Sequence, residues 1–375
     1  MEYKYISADN HCDSWWLPKN LFQERLPAKF REHGPRVVDG PDGSFWFWEG
    51  KRRRESADGS SNAALLKRFY PKADVAPGSM PPTTPEILLA HMDLGGVHSA
   101  VFYSDTRKWS IDDPELRMAV TRVYNDYIME LNSVAPDRLM LLPQVPTFNV
   151  KEGPAELRRL IDKGAKAVEF HVFDLETPIY SGDWDETFRI AADAGVPICT
   201  HIGDGAGVPY PPNERGSSFA HFSIAPFSIA KYIPQFVFTG AFERTPNLQV
   251  SVAECRIGWL PFLFSWMDRQ VEIRPPDPTV KLMLKPSEYI RRNMTFTFEE
   301  DKLGAQMIQY DWSLLKDVAV WGSDYPHEQG TWPEATDMLD NILVGLTPQE
   351  KRYITCDHAA QLFHVKMPEP AASGG

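Results

Sequence analysis

Little in this chain points to secretion, a membrane or nucleic acid. Its 375 residues hold four cysteines, Cys12, Cys199, Cys255 and Cys356, with no CxxC pair among them. A disulfide framework is therefore not expected, and a reducing cytoplasm is the simpler compartment. The opening Met1-Glu2-Tyr3-Lys4-Tyr5 carries no apolar run, so no signal peptide is expected. The most apolar stretch, Ile257 to Met267, is too short to span a bilayer and reads as a packed helix. Positive charge is also scarce: a net charge of −12 argues against a nucleic-acid partner, since phosphate contacts need a basic face. The local exception, Lys51-Arg52-Arg53-Arg54, reads as a solvated turn. What is plentiful is apolar side chain, 43% of the whole, enough for one large core.

The organisation is a first strand, a long irregular stretch, then a regular rhythm. Tyr3 to Asp9 alternates as a strand. Residues from about 15 to 83 hold no barrel-like unit and read as a functional insertion. Within them Arg36 to Trp48 is a strand pair, with Pro41-Asp42-Gly43 as the turn. From Thr84-Pro85, a capped helix start, strand-like and helical segments alternate to Thr355. One long helix is expected near Ile224 to Phe242. Eight strands separated by helices predict a distorted (β/α)8 barrel, a single domain over 1–365 with a disordered tail at 366–375.

Three segments end β-like runs with metal-ligating side chains: Asp9-Asn10-His11, Thr200-His201 and Gly322-Ser323-Asp324. Asp9 and His11 are two apart and share a face of an extended strand. Distant strands converge at the C-terminal face of a parallel barrel, so Asp9, His11, His201 and Asp324 are expected to bind one divalent metal. Zinc is the first expectation and manganese the second.

The same residues carry a resemblance. Asp9-x-His11, Thr200-His201, and Trp321-Gly322-Ser323-Asp324-Tyr325-Pro326-His327 followed by Thr331-Trp332-Pro333 resemble the amidohydrolase superfamily. The nearest branch includes relatives of aminocarboxymuconate semialdehyde decarboxylase, and the likeness runs from about Tyr5 to Phe363. It implies a TIM barrel with one catalytic metal and Asp324 as both ligand and proton-transfer group. Two departures stand out. Asp9 replaces the first histidine of the common His-x-His, and Glu254 replaces the catalytic histidine of the characterised decarboxylases.

Glu254 is read as an active-site carboxylate, base or extra ligand, against the alternative of a salt bridge to Arg256. Lys166 sits at the wrong end of its strand to bridge a second metal. His171 is open between substrate contact and a satisfied polar role. His327 is assigned to buttressing the Asp324 loop and to the substrate side of the site. Arg256, if it points inward, offsets the charge of Glu254. Gly203 to Gly207 reads as a mobile loop beside His201, not a dinucleotide fingerprint. Trp15, Trp16, Trp46, Phe47 and Trp48 are read as walling a substrate pocket rather than as a satellite core.

The expected function is hydrolysis of a carbonyl-type small molecule by metal-activated water, with Asp324 and Glu254 as catalytic carboxylates. The alternative is non-oxidative decarboxylation of an aromatic or unsaturated carboxylate, which Glu254 opposes by repelling a substrate carboxylate. A non-catalytic binding barrel is the third reading. The expected assembly is a homodimer.

Overall fold

Eight parallel strands form a closed ring in the computed structural model, which describes residues 4–41, 43–56, 84–203, 207, 214–275, 277–327 and 329–367. Most of the Gly203 to Gly207 loop, the second half of the insertion and the tail beyond 367 lie outside the described residues. Strand β1 (Tyr5–His11) comes first, then β2 (Arg36–Gly40), β3 (Gly43–Trp48) and β4 (Lys51–Ser56) in the insertion. The barrel resumes with β5 (Val97–Tyr103), β6 (Leu139–Leu141), β7 (Val168–Glu169), β8 (Ile198–His201), β9 (Val250–Ala253), β10 (Met294–Phe298) and β11 (Ala319–Trp321).

Two ladders, β1-β5-β6 and β7-β8-β9-β10-β11, are parallel throughout. Single bridges join them, Gln144 to Glu169 on one side and Asn10 to Tyr325 on the other, closing the ring. Several strands are only two or three residues long, so the expected distortion is present. Between Ser7 and Asn10 strand β1 advances three residues while β5 advances two, from Ala100 to Phe102. That bulge sits beside Asp9, and bulges re-aim side chains at such places.

The helices start and stop where local chemistry dictates. Thr84 caps Pro85–Leu94 by accepting from the Ile87 N–H, and Asp113 caps Pro114–Val134 through Glu115 and Leu116. Gly195, at φ 65°, ends Asp185–Ala194. The single helix expected near 224–242 is broken into Ser217–Ile224, a 3₁₀ segment Ala225–Lys231, Ile233–Phe238 and Ala241–Arg244. Pro226 and Pro234 each open a new piece, because proline cannot donate to the preceding turn.

Alternate residues of the strands, Ile6, Ala8, Val101, Met140, Cys199, Ala253 and Val320, fill the barrel interior. Cys356, Ala359, Phe363 and Val365 of the terminal helical segment belong to the same cluster and plug the ring. All four cysteines are free and buried.

The insertion corrects two readings. Residues 51–56 form a strand paired with β3, not a turn. Its arginines lie over aromatic rings, Arg52 over Phe45 at 4.1 Å and Arg53 over Trp48 at 4.3 Å, so charge here covers apolar surface. Trp46 and Trp48 belong to the main hydrophobic core instead of a pocket wall, while the side chain of Trp15 lies outside the described residues. Trp46 and Trp48 are fully buried, and Phe22, Trp46, Trp109 and Trp48 pack successively with centroids 5.8, 5.2 and 4.6 Å apart.

Candidate metal centre and active site

At the C-terminal ends of β1, β8, β9 and β11 the four expected ligands meet, joined by Glu254. His11 Nε2 lies 3.2 Å from His201 Nε2, 3.2 Å from Asp324 Oδ1 and 3.7 Å from Asp9 Oδ1. His201 Nε2 is 3.8 Å from Asp9 Oδ1 and 3.1 Å from Glu254 Oε2. Donor atoms about 2.1 Å from a common ion would stand roughly 3–3.5 Å apart, so the spacing is that of a ligand shell. The two groupings of donors, Asp9-His11-His201 and His11-Glu254-Asp324-His327, share His11 and describe one cluster.

Local structure explains the convergence. Gly322 ends β11 against β1, where an added Cβ would come 2.5 Å from the Asp9 Cβ, so no side chain fits. Across that seam Asp324 N donates to Asp9 O and His11 N to Tyr325 O. Asp324 and Glu254 both hold positive φ, 53° and 60°, a backbone state uncommon outside glycine that is found where side chains must be aimed. The Glu254 N–H donates to Thr297 Oγ1, pinning that turn to β10.

The outer contacts fix the imidazoles. His201 Nδ1 donates to the Ile202 carbonyl at 3.0 Å, which leaves the Nε2 lone pair facing the cluster. His327 stacks on His11 with centroids 3.8 Å apart, and it bridges Asp324 Oδ1 and Asp13 Oδ2, each at 3.0 Å.

Electrostatics strain this arrangement in the absence of a cation. Asp9 and Asp324 are fully buried and the Glu254 side chain is 12% exposed, and Asp9 Oδ1 and Asp324 Oδ2 accept no hydrogen bond among the described residues. Burial pushes Asp9 up to about 8, helped by Asp324 and Glu254 against His11. Burial and the neighbouring Asp324 also raise Glu254. Burial works against Asp324 too, yet His327 and His11 hold it below the usual carboxylate range. Burial holds His201 well below the imidazole range, so it is a neutral donor. A buried set of carboxylates and neutral imidazole with orphaned oxygens fits a divalent metal.

A cavity of about 510 Å³ opens over the cluster, lined by His11, His201, Glu254 and His327 together with Asp13 and Lys108. The remaining expected site residues fall elsewhere. Trp16 is fully buried beside Tyr325, ring centroids 6.1 Å apart, and does not line the cavity. His171 borders a separate cavity of about 30 Å³ with Glu169. Arg107 touches both cavities and lies 3.3 Å from Glu169. Arg256 ion-pairs with buried Glu299 and reaches Gln329, not Glu254, although its charge still offsets that of Glu254. Lys166 pairs with Asp137 at 2.9 Å, away from the cluster.

Sequence reading missed Asp13, Arg107, Lys108 and Glu299. Asp13 had a signal, since Asp9-x-His11-x-Asp13 continues one two-residue period. The others sit on connecting segments without periodicity.

Comparison with known proteins agrees with this architecture. The profile of the amidohydrolase family matches residues 99–365, more than half the chain. An amidohydrolase from Mycobacterium avium subsp. paratuberculosis K-10 superposes with a TM-score of 0.78 at 18% identity, covering 97% of this chain and 100% of that one. A 2,6-dihydroxybenzoate decarboxylase from Rhizobium gives 0.65 at 16% identity, covering 96% and 99%. A dihydroxybenzoic acid decarboxylase from Polaromonas sp. JS666, with bound manganese and the inhibitor 2-nitroresorcinol, gives 0.64 at 15%, covering 99% of each. At these identities the likeness is one of fold.

Proposed function

From the premise that this chain belongs to the amidohydrolase family, we propose that it is a metal-dependent non-oxidative decarboxylase of an aromatic or unsaturated small-molecule carboxylate. The observation that carries this reading is the position of Glu254. Its Oε2 turns to His201 and the ligand cluster, 3.1 Å from Nε2, instead of standing free in the cavity. The repulsion that favoured hydrolysis over decarboxylation is thereby reduced, because a carboxylate among metal donors is neutralised by the ion it helps hold. Decarboxylases among the structures of the same fold support the choice.

Asp9, His11, His201 and Asp324 would hold the ion, with Glu254 as a further donor, and Zn²⁺ or Mn²⁺ suits the set. A bound divalent ion supplies Lewis-acid polarisation of the substrate carboxylate and a neighbouring oxygen. The chain's own groups move the proton. The bond between the ring carbon and its carboxylate breaks, CO₂ leaves, and the electron pair stays on carbon. Asp324 delivers a proton to that carbon, resupplied by His327 at 3.0 Å. Asp13 holds the far nitrogen of His327 in place. The cavity, at about 510 Å³, accommodates a substituted aromatic ring.

The test is a metal-loaded preparation run against hydroxybenzoate-type carboxylates and against an amide and ester panel. Release of CO₂ from the first is expected. Hydrolysis of the second with no CO₂ from the first would overturn the proposal in favour of a hydrolase.

A further inference from the structure

The decarboxylase reading leaves one cation in the cavity without a role. After β5 the chain makes a 3₁₀ turn, Asp105–Lys108, that carries two adjacent basic residues to the cavity wall. Arg107 is buried and engaged: it lies 3.3 Å from Glu169 and also donates to the Ser104 carbonyl. Lys108 is exposed on the wall and, among the described residues, makes no hydrogen bond or ion pair.

The carboxylates around it are already occupied. Asp105 accepts from Ser14 N at 2.6 Å and from Ser14 Oγ at 2.7 Å. Asp13 Oδ1 accepts from Asp105 N, and its Oδ2 contacts His327. Glu254 faces His201. Desolvation of the ammonium, followed by Arg107, lowers the Lys108 pKa from the ordinary lysine value, with Asp13, Asp105 and Glu254 acting the other way. A side chain with three donors thus lines the same cavity as the candidate metal ligands, with its acidic neighbours turned to other partners.

We propose that Lys108 binds a second anionic group of the substrate, so that the substrate class is a dianion: one carboxylate at the metal cluster and another anionic substituent on the same small framework. The proposal rests on the carboxylate reading of the site. Lys108 acts in recognition and touches no reacting atom. Its length and flexible stem suit a point-charge contact to an oxyanion across the cavity.

The experiment compares two probes by calorimetric titration of the full, manganese-loaded chain: 2-hydroxybenzoate and 4-hydroxybenzene-1,3-dicarboxylate. They share the carboxylate with its neighbouring hydroxyl and differ by the second carboxylate. Wild type is expected to bind the dianion about tenfold or more tighter, the scale of one hydrogen bond to a charged group. In Lys108→Met that ratio should fall to near one, and Lys108→Arg should keep part of it. Equal affinity for both probes in wild type, or an undiminished ratio in Lys108→Met, would overturn the proposal. Binding of neither probe would sink both this inference and the carboxylate reading. A ratio that collapses in Lys108→Met, with no CO₂ from any carboxylate, would uphold Lys108 and remove the decarboxylase reading alone.

Discussion

The two ends of one barrel are built on opposite terms. At one end Phe363, Ala359, Cys356 and Val365 close the ring with apolar surface. At the other, a few residues further along the same strands, the carboxylates of Asp9, Asp324 and Glu254 are packed together with His11 and His201. The first arrangement lowers the free energy of the fold. The second raises it, because buried like charges repel one another. Stability and chemistry are thus divided between faces of a single sheet, as is usual for barrels of this kind.

That division can be broken most forcefully at Asp324. Asp324→Asn should lower turnover by roughly 10²–10⁴-fold, the range of a lost proton-transfer group, while leaving the fold intact. Steady-state rates beside circular dichroism check it. A variant that retains near-normal turnover would remove Asp324 from the chemistry.

The opposite end should answer in the opposite currency of effect. Phe363 is fully buried in the plug, and Phe363→Ala should destabilise by about 3–5 kcal/mol. Its turnover per folded molecule should stay close to wild type. Urea unfolding with activity measured below the transition separates the two quantities. A loss of activity with unchanged stability would show that the ends are not independent.

A smaller effect sharpens the comparison at the seam. His91, on the Pro85–Leu94 helix, bonds Tyr325 next to Asp324, and burial pushes its pKa down to about 4 from 6.5. The unfolded chain therefore binds more protons than the folded one between those values. Stability from the neutral imidazole is complete above about pH 6.5 and is lost as pH falls towards 4. His91→Gln should flatten that part of the profile by up to a few kcal/mol. Parallel pH dependences in the two proteins would reject the assignment.

The convergence of Asp9, His11, His201 and Asp324 was legible because each lies at a strand end, where a two-residue period and a barrel's geometry make a joint prediction. The helix start at Thr84-Pro85 was legible, because cap chemistry is local. The aromatics of the insertion were misread, because density of tryptophan does not tell a wall from a core; only their burial among Phe22 and Trp109 does. Lysine and arginine masked β4, since alternation there is between rings on β3 and cations above them. Arg256 was placed by proximity in sequence to Glu254, whereas the positive φ of both residues turns their side chains to different partners. Lys108 carries no pattern at all. Its meaning comes from what surrounds it in space.

The contact of Gly322 with Asp9 has a bearing on how the protein is made. The bridge between Asn10 and Tyr325 joins the first barrel strand to the last. Asp9 leaves the ribosome more than three hundred residues before Asp324, its partner across the seam. A nascent chain halted anywhere before β11 holds Asp9, His11 and later His201 without Asp324. Completion of the four-residue cluster is thereby a late event in biogenesis, and truncated products lack it however well their earlier strands pair.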